Sequence, residues 1–446
     1  MNIKNIIEDI LITCDKNNGL IFFVKTGDFI SCTPQHAKKL RILTKKYKNA
    51  QLSTEEKIEL ENYYRSIVKK PLRKCVTPKD LKKRQDINRL EFMISTTCNL
   101  NCIYCYANSG TYDYKQLIMS PQNITSYLNS IVTAGYNSFK TIMFFGGEPC
   151  LGQQTIKQCC QDIYHLYDEN KIKSVPRFTM VTNGTLLDES MIKIIKDYNI
   201  RTTISLDGPK DINDKLRIFK DGTGTYNRII SGIKRMRTIG CKPNAIEATY
   251  TKLHQDAGLT KEDLKKYLAK ISGSEKIIIE NCIGEKNSNI LPDISNAKTR
   301  KSIIYDVNFI HGIGAKTFSS VACGAGLSSF AVLPDGTLYP CHLFVKNINY
   351  KLGSISNGKF DLSIYEPIKN ELLSLSKIKN KDCKSCWRKS ICIDCPAGRL
   401  LENKNKNTCF YKSVYIENDM LDFLKLKLDT KEWRKIEKKL KKLREG

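Results

Sequence analysis

The chain has 446 residues, 41% of them hydrophobic and 27% charged, enough apolar content for two or three packed domains and too much for a disordered chain. Its formal net charge is +27, but the 73 basic side chains are spread through every segment, so the excess reads as a basic surface and argues against a dedicated nucleic-acid patch. The start, MNIKNIIEDILITCDK, has no basic segment leading into a long apolar stretch, and no run approaches a membrane-spanning length; a cytoplasmic protein with no membrane partner is expected.

Residues 1 to about 75 open with three short apolar runs, ILITC, GLIFFVK and FISCTP. Two helical patterns follow, PQHAKKLRILTKKY and STEEKIELENYYRSIVKK, which makes a small β-then-α unit. A polar linker over 76–88 separates it from residues 89–315, where strands and helices alternate. The expected strands are RLEFMIS, TIMFFG, RFTMVT, RTTISL, AIEATY and KIIIEN, with amphipathic helices between them such as DESMIKIIKDY and YNRIISGIKRMRTIG. Repeated strand-then-helix units predict an α/β fold with a parallel sheet and right-handed crossovers, either an open sheet or a barrel. Residues 316–412 lose this periodicity and are rich in cysteine, so metal ligands more than an apolar core are expected to hold them. Residues 413–446 end in WRKIEKKLKKLREG, read as an exposed basic helix.

Eighteen cysteines in a reducing compartment point to metal or redox chemistry and away from disulfides. Cys98, Cys102 and Cys105 fall together in CNLNCIYC, directly after the first strand of the alternating region. A structural zinc site wants four closed ligands. Three thiolates suit an iron–sulfur cube with one iron left open for a chelating molecule. The segments GGEP, TNGT and SLDG follow the second, third and fourth strands in the same way. The C-terminal end of a parallel sheet carries the active site, so these motifs should converge there.

The CxxxCxxC loop, with Tyr104 before its last cysteine, resembles the radical S-adenosylmethionine (SAM) enzymes. That resemblance implies a partial (β/α)6 barrel, a 4Fe–4S cluster on Cys98, Cys102 and Cys105, and SAM as the missing ligand. The bound cofactor would be cleaved to a 5′-deoxyadenosyl radical that takes a hydrogen from substrate. It also implies cofactor contacts from Gly146, Gly147 and Glu148 of GGEP, Asn183 of TNGT, Ser205 and Asp207 of SLDG, and Arg217.

Cys323, Cys341, Cys383, Cys386, Cys392, Cys395 and Cys409 form a second group, with Gly336 five residues before Cys341. Their pattern resembles the SPASM extension, which carries up to two auxiliary 4Fe–4S clusters, with one residue fewer between Cys392 and Cys395 than the family spacing. The resemblance implies one cluster on Cys383, Cys386, Cys392 and Cys409. It implies another on Cys323, Cys341 and Cys395, for which Cys282 is the nearest additional donor in position, beside its reading as a buried cysteine. A zinc-binding module is the alternative for the group.

The segments CIYCYANSGTYDYKQLIMS and CGAG resemble maturases of ribosomally made peptides that join a cysteine sulfur to carbon. The N-terminal unit resembles the winged-helix-like domain by which such enzymes hold a precursor's leader, through strand addition. The partners implied are that precursor peptide and an acidic flavodoxin or ferredoxin as electron donor. The rivals are an anaerobic sulfatase maturase forming formylglycine, a tRNA-modifying radical enzyme, and a non-catalytic electron carrier.

Overall fold

A computed structural model describes residues 3–7, 10–68, 71–77, 80, 86–282, 289–293, 317–321, 323–380, 383, 386, 389, 392, 395–402, 433, 434 and 438. The chain divides into two compact units, one of Met1–Lys83, Ser302–Cys323 and Glu371–Gly446, the other of Arg84–Lys301 and Gly324–Asn370. Among the described residues no helix is long and apolar enough to cross a membrane.

In the first unit β1 (Ile10–Cys14), β2 (Gly19–Phe23) and β3 (Asp28–Cys32) form an antiparallel meander in that order. Asp15 makes the first turn, its Oδ1 accepting from the amides of Asn17 and Asn18 at 2.8 and 2.7 Å. The expected helices follow at Pro34–Lys48 and Thr54–Ile67. Thr33 caps the first, and Ser53 with Glu56 forms a capping box on the second. Ile12, Ile21, Phe23, Leu40, Leu60 and Tyr64 are buried between sheet and helices. Two short strands, β4 (Lys74–Val76) and β11 (Thr317–Ser319), pair in parallel within the same unit. Of the expected C-terminal basic helix, all but Trp433, Arg434 and Lys438 lies outside the described residues.

The second unit is built on β5 (Arg89–Ser95), β6 (Thr141–Gly146), β7 (Arg177–Thr182), β8 (Arg201–Ser205), β9 (Ala245–Tyr250) and β10 (Ile277–Asn281). All six lie where the sequence patterns place them, and all pair in parallel with their chain neighbours. That sequential order decides between the two sheet forms left open above. A right-handed crossover made in the same direction each time puts every helix on one face, as in a barrel; an open doubly wound sheet has helices on both. The alternation agrees: Ile142, Phe144, Phe178, Met180, Ile204, Ile246 and Ala248 are fully buried, while the intervening Met143, Phe145, Thr179, Val181, Thr203, Ser205, Glu247 and Thr249 are only partly covered.

The sheet also grows in the other direction. β12 (Ser329–Val332) pairs in parallel with β5, and β13 (Thr337–Tyr339), β14 (Gly353–Ser356) and β15 (Lys359–Asp361) continue it antiparallel. This part of the cysteine-rich region is therefore held by apolar packing that continues that of the sheet, with Phe330, Ala331, Val332, Leu338, Tyr339, Leu352 and Ile355 buried. Strands of three or four residues are too short for a readable alternation, which is why periodicity missed them.

His342, just after Cys341, is tied back to β5: its Nδ1 lies 2.7 Å from Oε1 of the buried Glu91. Burial alone would raise the Glu91 carboxyl, but the His342 ring and Arg89 outweigh it and hold its pKa below the ordinary value. A depressed carboxylate contributes stability above its unfolded pKa and loses it as pH falls through the folded one. Glu91→Gln should lower stability at pH 7 by on the order of 2 kcal/mol. Its denaturation midpoint should converge on the parent's as the pH drops below about 4. A gap that stays constant with pH would mean packing was lost and not a charge interaction.

Candidate active site

The cysteine loop, GGEP, TNGT and SLDG all stand at the C-terminal ends of β5 to β8, as their sequence positions imply. The glycines of GGEP bring two of these loops into direct contact. Gly147 donates its amide to Ser95 O at 2.8 Å, and Glu148 donates to Thr97 O at 3.0 Å. A Cβ on Gly146 would lie 2.1 Å from Ser95 O, and one on Gly147 would lie 2.1 Å from Thr97 O. Gly146 also has φ of 135°. No side chain fits at either position, so the turn lies flat against the start of the cysteine loop.

Glu148 is fully buried and its carboxylate is used as a strut. Oε1 accepts from Cys150 N at 3.0 Å and Thr182 Oγ1 at 2.6 Å, and Oε2 from Asn183 N at 2.7 Å. Burial raises the carboxyl's pKa above the ordinary value, and those three donors offset only part of that shift. Asn183 carries the connection onward. Its Nδ2 donates to Asn99 Oδ1 at 2.9 Å and points at Cys98 Sγ at 3.6 Å, while its Oδ1 accepts from the amide and hydroxyl of Thr185. Asn99 donates to the Thr185 hydroxyl at 2.9 Å, which closes the ring.

On the other side the cysteine loop pairs with the segment that carries Arg217. Asn101 N donates to Ile218 O at 2.8 Å and Ile103 N to Leu216 O at 3.0 Å. This pairing sets Arg217 Nη1 2.6 Å from the Tyr104 hydroxyl, which donates to Asp207 Oδ2 at 2.5 Å; Arg217 and Asp207 are 4.0 Å apart. Asp207 Oδ1 accepts from Thr249 N at 2.9 Å, its carbonyl meets His254 Nε2, and its amide donates to Asn213 Oδ1 at 3.2 Å. Three residues named from sequence thus form one charged cluster beside Cys102. Burial raises the Cys102 thiol, with the Arg217 cation opposing. Ser205 lies on the open face of β8, in register with Glu247 of β9.

Cys98, Cys102 and Cys105 are half-buried free thiols. Among the described residues no three His, Cys, Asp or Glu side chains close around a position for a single metal ion. Three cysteine thiols on one loop are the donor type that an iron–sulfur cluster takes. Cys98 Sγ also accepts from Leu100 N at 3.4 Å, as a cluster thiolate would. Burial, followed by the Glu148 charge, pushes the Cys98 thiol up to about 12. Loading a cluster must therefore displace protons from this loop.

Cys282 is buried just past β10, its amide donating to Tyr250 O at 2.8 Å. Cys341 is buried in the second unit ahead of His342, and Cys323 is exposed in the first. Cys383, Cys386, Cys392 and Cys395 are half-buried in the first unit. Cys409 lies outside the described residues. The sequence did not point to Thr182, Thr185, Asn99, Asn213 or His254. Thr182 and Thr185 lie within TNGT and Asn99 within CNLNCIYC without being singled out there, Asn213 and His254 belong to no motif, and only their hydrogen bonds to Glu148, Asn183 and Asp207 mark them.

Comparison with known families matches residues 92–271 to the radical SAM superfamily and residues 323–387 to an iron–sulfur cluster-binding domain of the SPASM type. The chain is 27% identical over 333 residues to a GTP 3′,8-cyclase of Clostridium botulinum (strain Okra / Type B1), covering 68% of this chain and 96% of that one. It is 25% identical over 320 residues to a cysteine-type anaerobic sulfatase-maturating enzyme of Clostridium novyi (strain NT), covering 66% and 83%. Among solved structures it shares the fold of histidine-tagged anSMEcpe with bound AdoMet, at a TM-score of 0.60 and 19% identity over 81% of this chain and 98% of that one. It also shares the fold of Streptococcus suis SuiB bound to its precursor peptide SuiA, at 0.50 and 16% over 90% and 97%. The two domains imply 4Fe–4S clusters, with SAM as the cofactor.

If the GGEP turn sets the cysteine loop, Gly147→Ala must push Thr97 away and move Cys98. The variant should fold, keep its helical signal, bind at least tenfold less SAM and retain less iron after anaerobic reconstitution. Parent-level iron and SAM affinity would show that the close approach is dispensable.

Proposed function

We propose that this chain, a radical SAM enzyme with an iron–sulfur cluster domain C-terminal to its barrel, forms thioether links between cysteine sulfur and carbon in a ribosomally made precursor peptide. The observation that carries the reading is the N-terminal unit. About a third of the chain lies beyond its match to the cyclase, and the fold shared with peptide-bound SuiB extends over nine-tenths of it. In that unit β3 is a terminal strand, paired with β2 alone among the described residues, and most of its side chains are partly exposed. An extended leader could continue the sheet there, with main-chain bonds supplying affinity.

In this reading Cys98, Cys102 and Cys105 hold the cluster that binds SAM, and together these groups supply hydrogen-atom abstraction. The chain's own residues position. The Gly146–Gly147 turn, pressed against the start of the cysteine loop, sets the part of the rim against which the cofactor would lie. Arg217, oriented by Tyr104 and Asp207, offers its guanidinium to the cofactor carboxylate. Asn183 holds the cysteine loop to TNGT, and Ser205 faces the interior where cofactor meets substrate. Met143, Phe145 and Val181 line that interior with apolar surface that excludes water from a reactive carbon. The basic surface suits an acidic electron donor such as flavodoxin.

A second reading, conversion of a protein cysteine or serine to formylglycine, draws on the sulfatase-maturating relative. Anaerobic co-expression with a small cysteine-rich peptide encoded beside this gene separates the two. Thioether formation should remove a pair of hydrogens per link and leave those cysteines resistant to alkylation. Formylglycine would instead appear as an aldehyde that reacts with a hydrazide. Replacing Cys98, Cys102 and Cys105 by alanine should abolish the change. Removing residues 1–75 should abolish peptide modification at least tenfold more than SAM cleavage. An unchanged peptide beside intact SAM cleavage would overturn the thioether reading.

A further inference from the structure

We propose that Lys377 is a positioning residue for the iron–sulfur site of the first unit: its buried ammonium holds the backbone at Lys389 and Cys392 and fixes a positive charge there. The proposal rests on reading Cys383, Cys386 and Cys392 as cluster ligands.

Lys377 is only 5% exposed, an unusual state for a lysine. Its Nζ donates to Lys389 O at 2.9 Å and to Cys392 O at 2.8 Å. Its amide donates to Ser320 O at 2.7 Å, and the neighbouring Ser376 hydroxyl donates to the same carbonyl at 3.3 Å. The backbone at 377 is thus held to the strand that ends at Ser319, while the side chain reaches the cysteine segment. A second buried cation stands close by: Arg399 is 3% exposed, donates Nη1 to Leu375 O at 3.2 Å, and its amide donates to Cys395 O at 3.1 Å.

Within the described part of the cysteine segment, Cys386 N donates to Cys383 O and Lys389 N to Cys386 O, both at 3.2 Å. An ammonium shared by the Lys389 and Cys392 carbonyls ties these two backbone positions together, because each bond is charge-assisted and the buried charge gains its solvation from them. One of those carbonyls belongs to Cys392 itself, so the charge sits within one residue of a proposed ligand.

That placement has an electrostatic consequence. A cube on thiolates carries net negative charge that grows on reduction, and a fixed cation in a low-dielectric surrounding favours the reduced form. Nearby charge and hydrogen bonds are among the levers that set cluster potentials. A cluster biased in this way accepts electrons more readily.

The test uses the full chain with Cys98, Cys102 and Cys105 replaced by alanine, reconstituted anaerobically with iron and sulfide. Iron content is counted, and reduction is followed by electron paramagnetic resonance on the signal that Cys383→Ala removes. Lys377→Gln keeps donors without charge, Lys377→Met removes both, and Lys377→Arg keeps the charge. The expected result is a roughly tenfold lower reduced-to-oxidised ratio at fixed potential in Gln and Met, about 59 mV for a one-electron couple, with Arg near the parent. Iron should be retained in Gln and Arg and be reduced in Met. Full iron and an unchanged ratio in both Gln and Met would overturn the role of Lys377. Should Met fail to load, Gln alone decides. Failure of the underlying reading looks different: Cys383→Ala would then lose no iron and no signal, whatever the Lys377 variants do.

Discussion

The buried carboxylate of Glu148 is the constraint on which the rim of this molecule depends. It sits where β6 ends, takes three hydrogen bonds from its own turn and from the end of β7, and so locks two loops that would otherwise be independent. A carboxylate without water is tolerated only when its oxygens are occupied, which makes the arrangement all-or-none. Asn183 extends the lock to the cysteine loop, and the paired glycines press the turn against that loop's first residues. The same charge works against a thiolate at Cys98. Binding a cluster at Cys98 therefore has to work against both burial and that charge.

Across the rim the balance is reversed. Arg217, Tyr104 and Asp207 bring a cation, a phenol and a carboxylate together at the point where the cysteine loop pairs with residues 216–218. The guanidinium is held by two neighbours and keeps further donors, which makes it suited to a carboxylate-bearing ligand. One side of the rim is a brace around a buried anion and the other is a cation held in place. Between them the inner face of β6 to β9 is mixed, with Met143, Phe145 and Val181 beside Thr203, Ser205 and Glu247. Such a surface can receive a substrate without committing the fold to one of them.

The first unit answers to a different physics. Its N-terminal part has a continuous apolar core under a three-stranded sheet, and a core of that kind folds without a cofactor. In its cysteine segment the carbonyls of Lys389 and Cys392 are held by the buried ammonium of Lys377.

Most of the elements could be read from local pattern. The strands from Arg89 to Asn281 and the helices between them have alternating or helical periods and clear caps, such as Ser120 before Pro121 and Asp188 before Glu189. Loop position then followed from one rule about parallel sheets, and it located CNLNCIYC, GGEP, TNGT and SLDG on a common rim. Local pattern could not show that Glu148 faces inward as a strut, because GGEP looks the same whichever way its carboxylate turns. It could not pair Tyr104 with Asp207, 103 residues away, with Arg217 at 113, or Glu91 with His342 at 251. Those contacts depend on strand order and register, which are set by how whole elements pack and leave no trace in the spacing of neighbouring residues. The short strands after Ser328 were missed for a related reason: β12 pairs with β5, across the fold, and strands of three or four residues are too short to announce themselves.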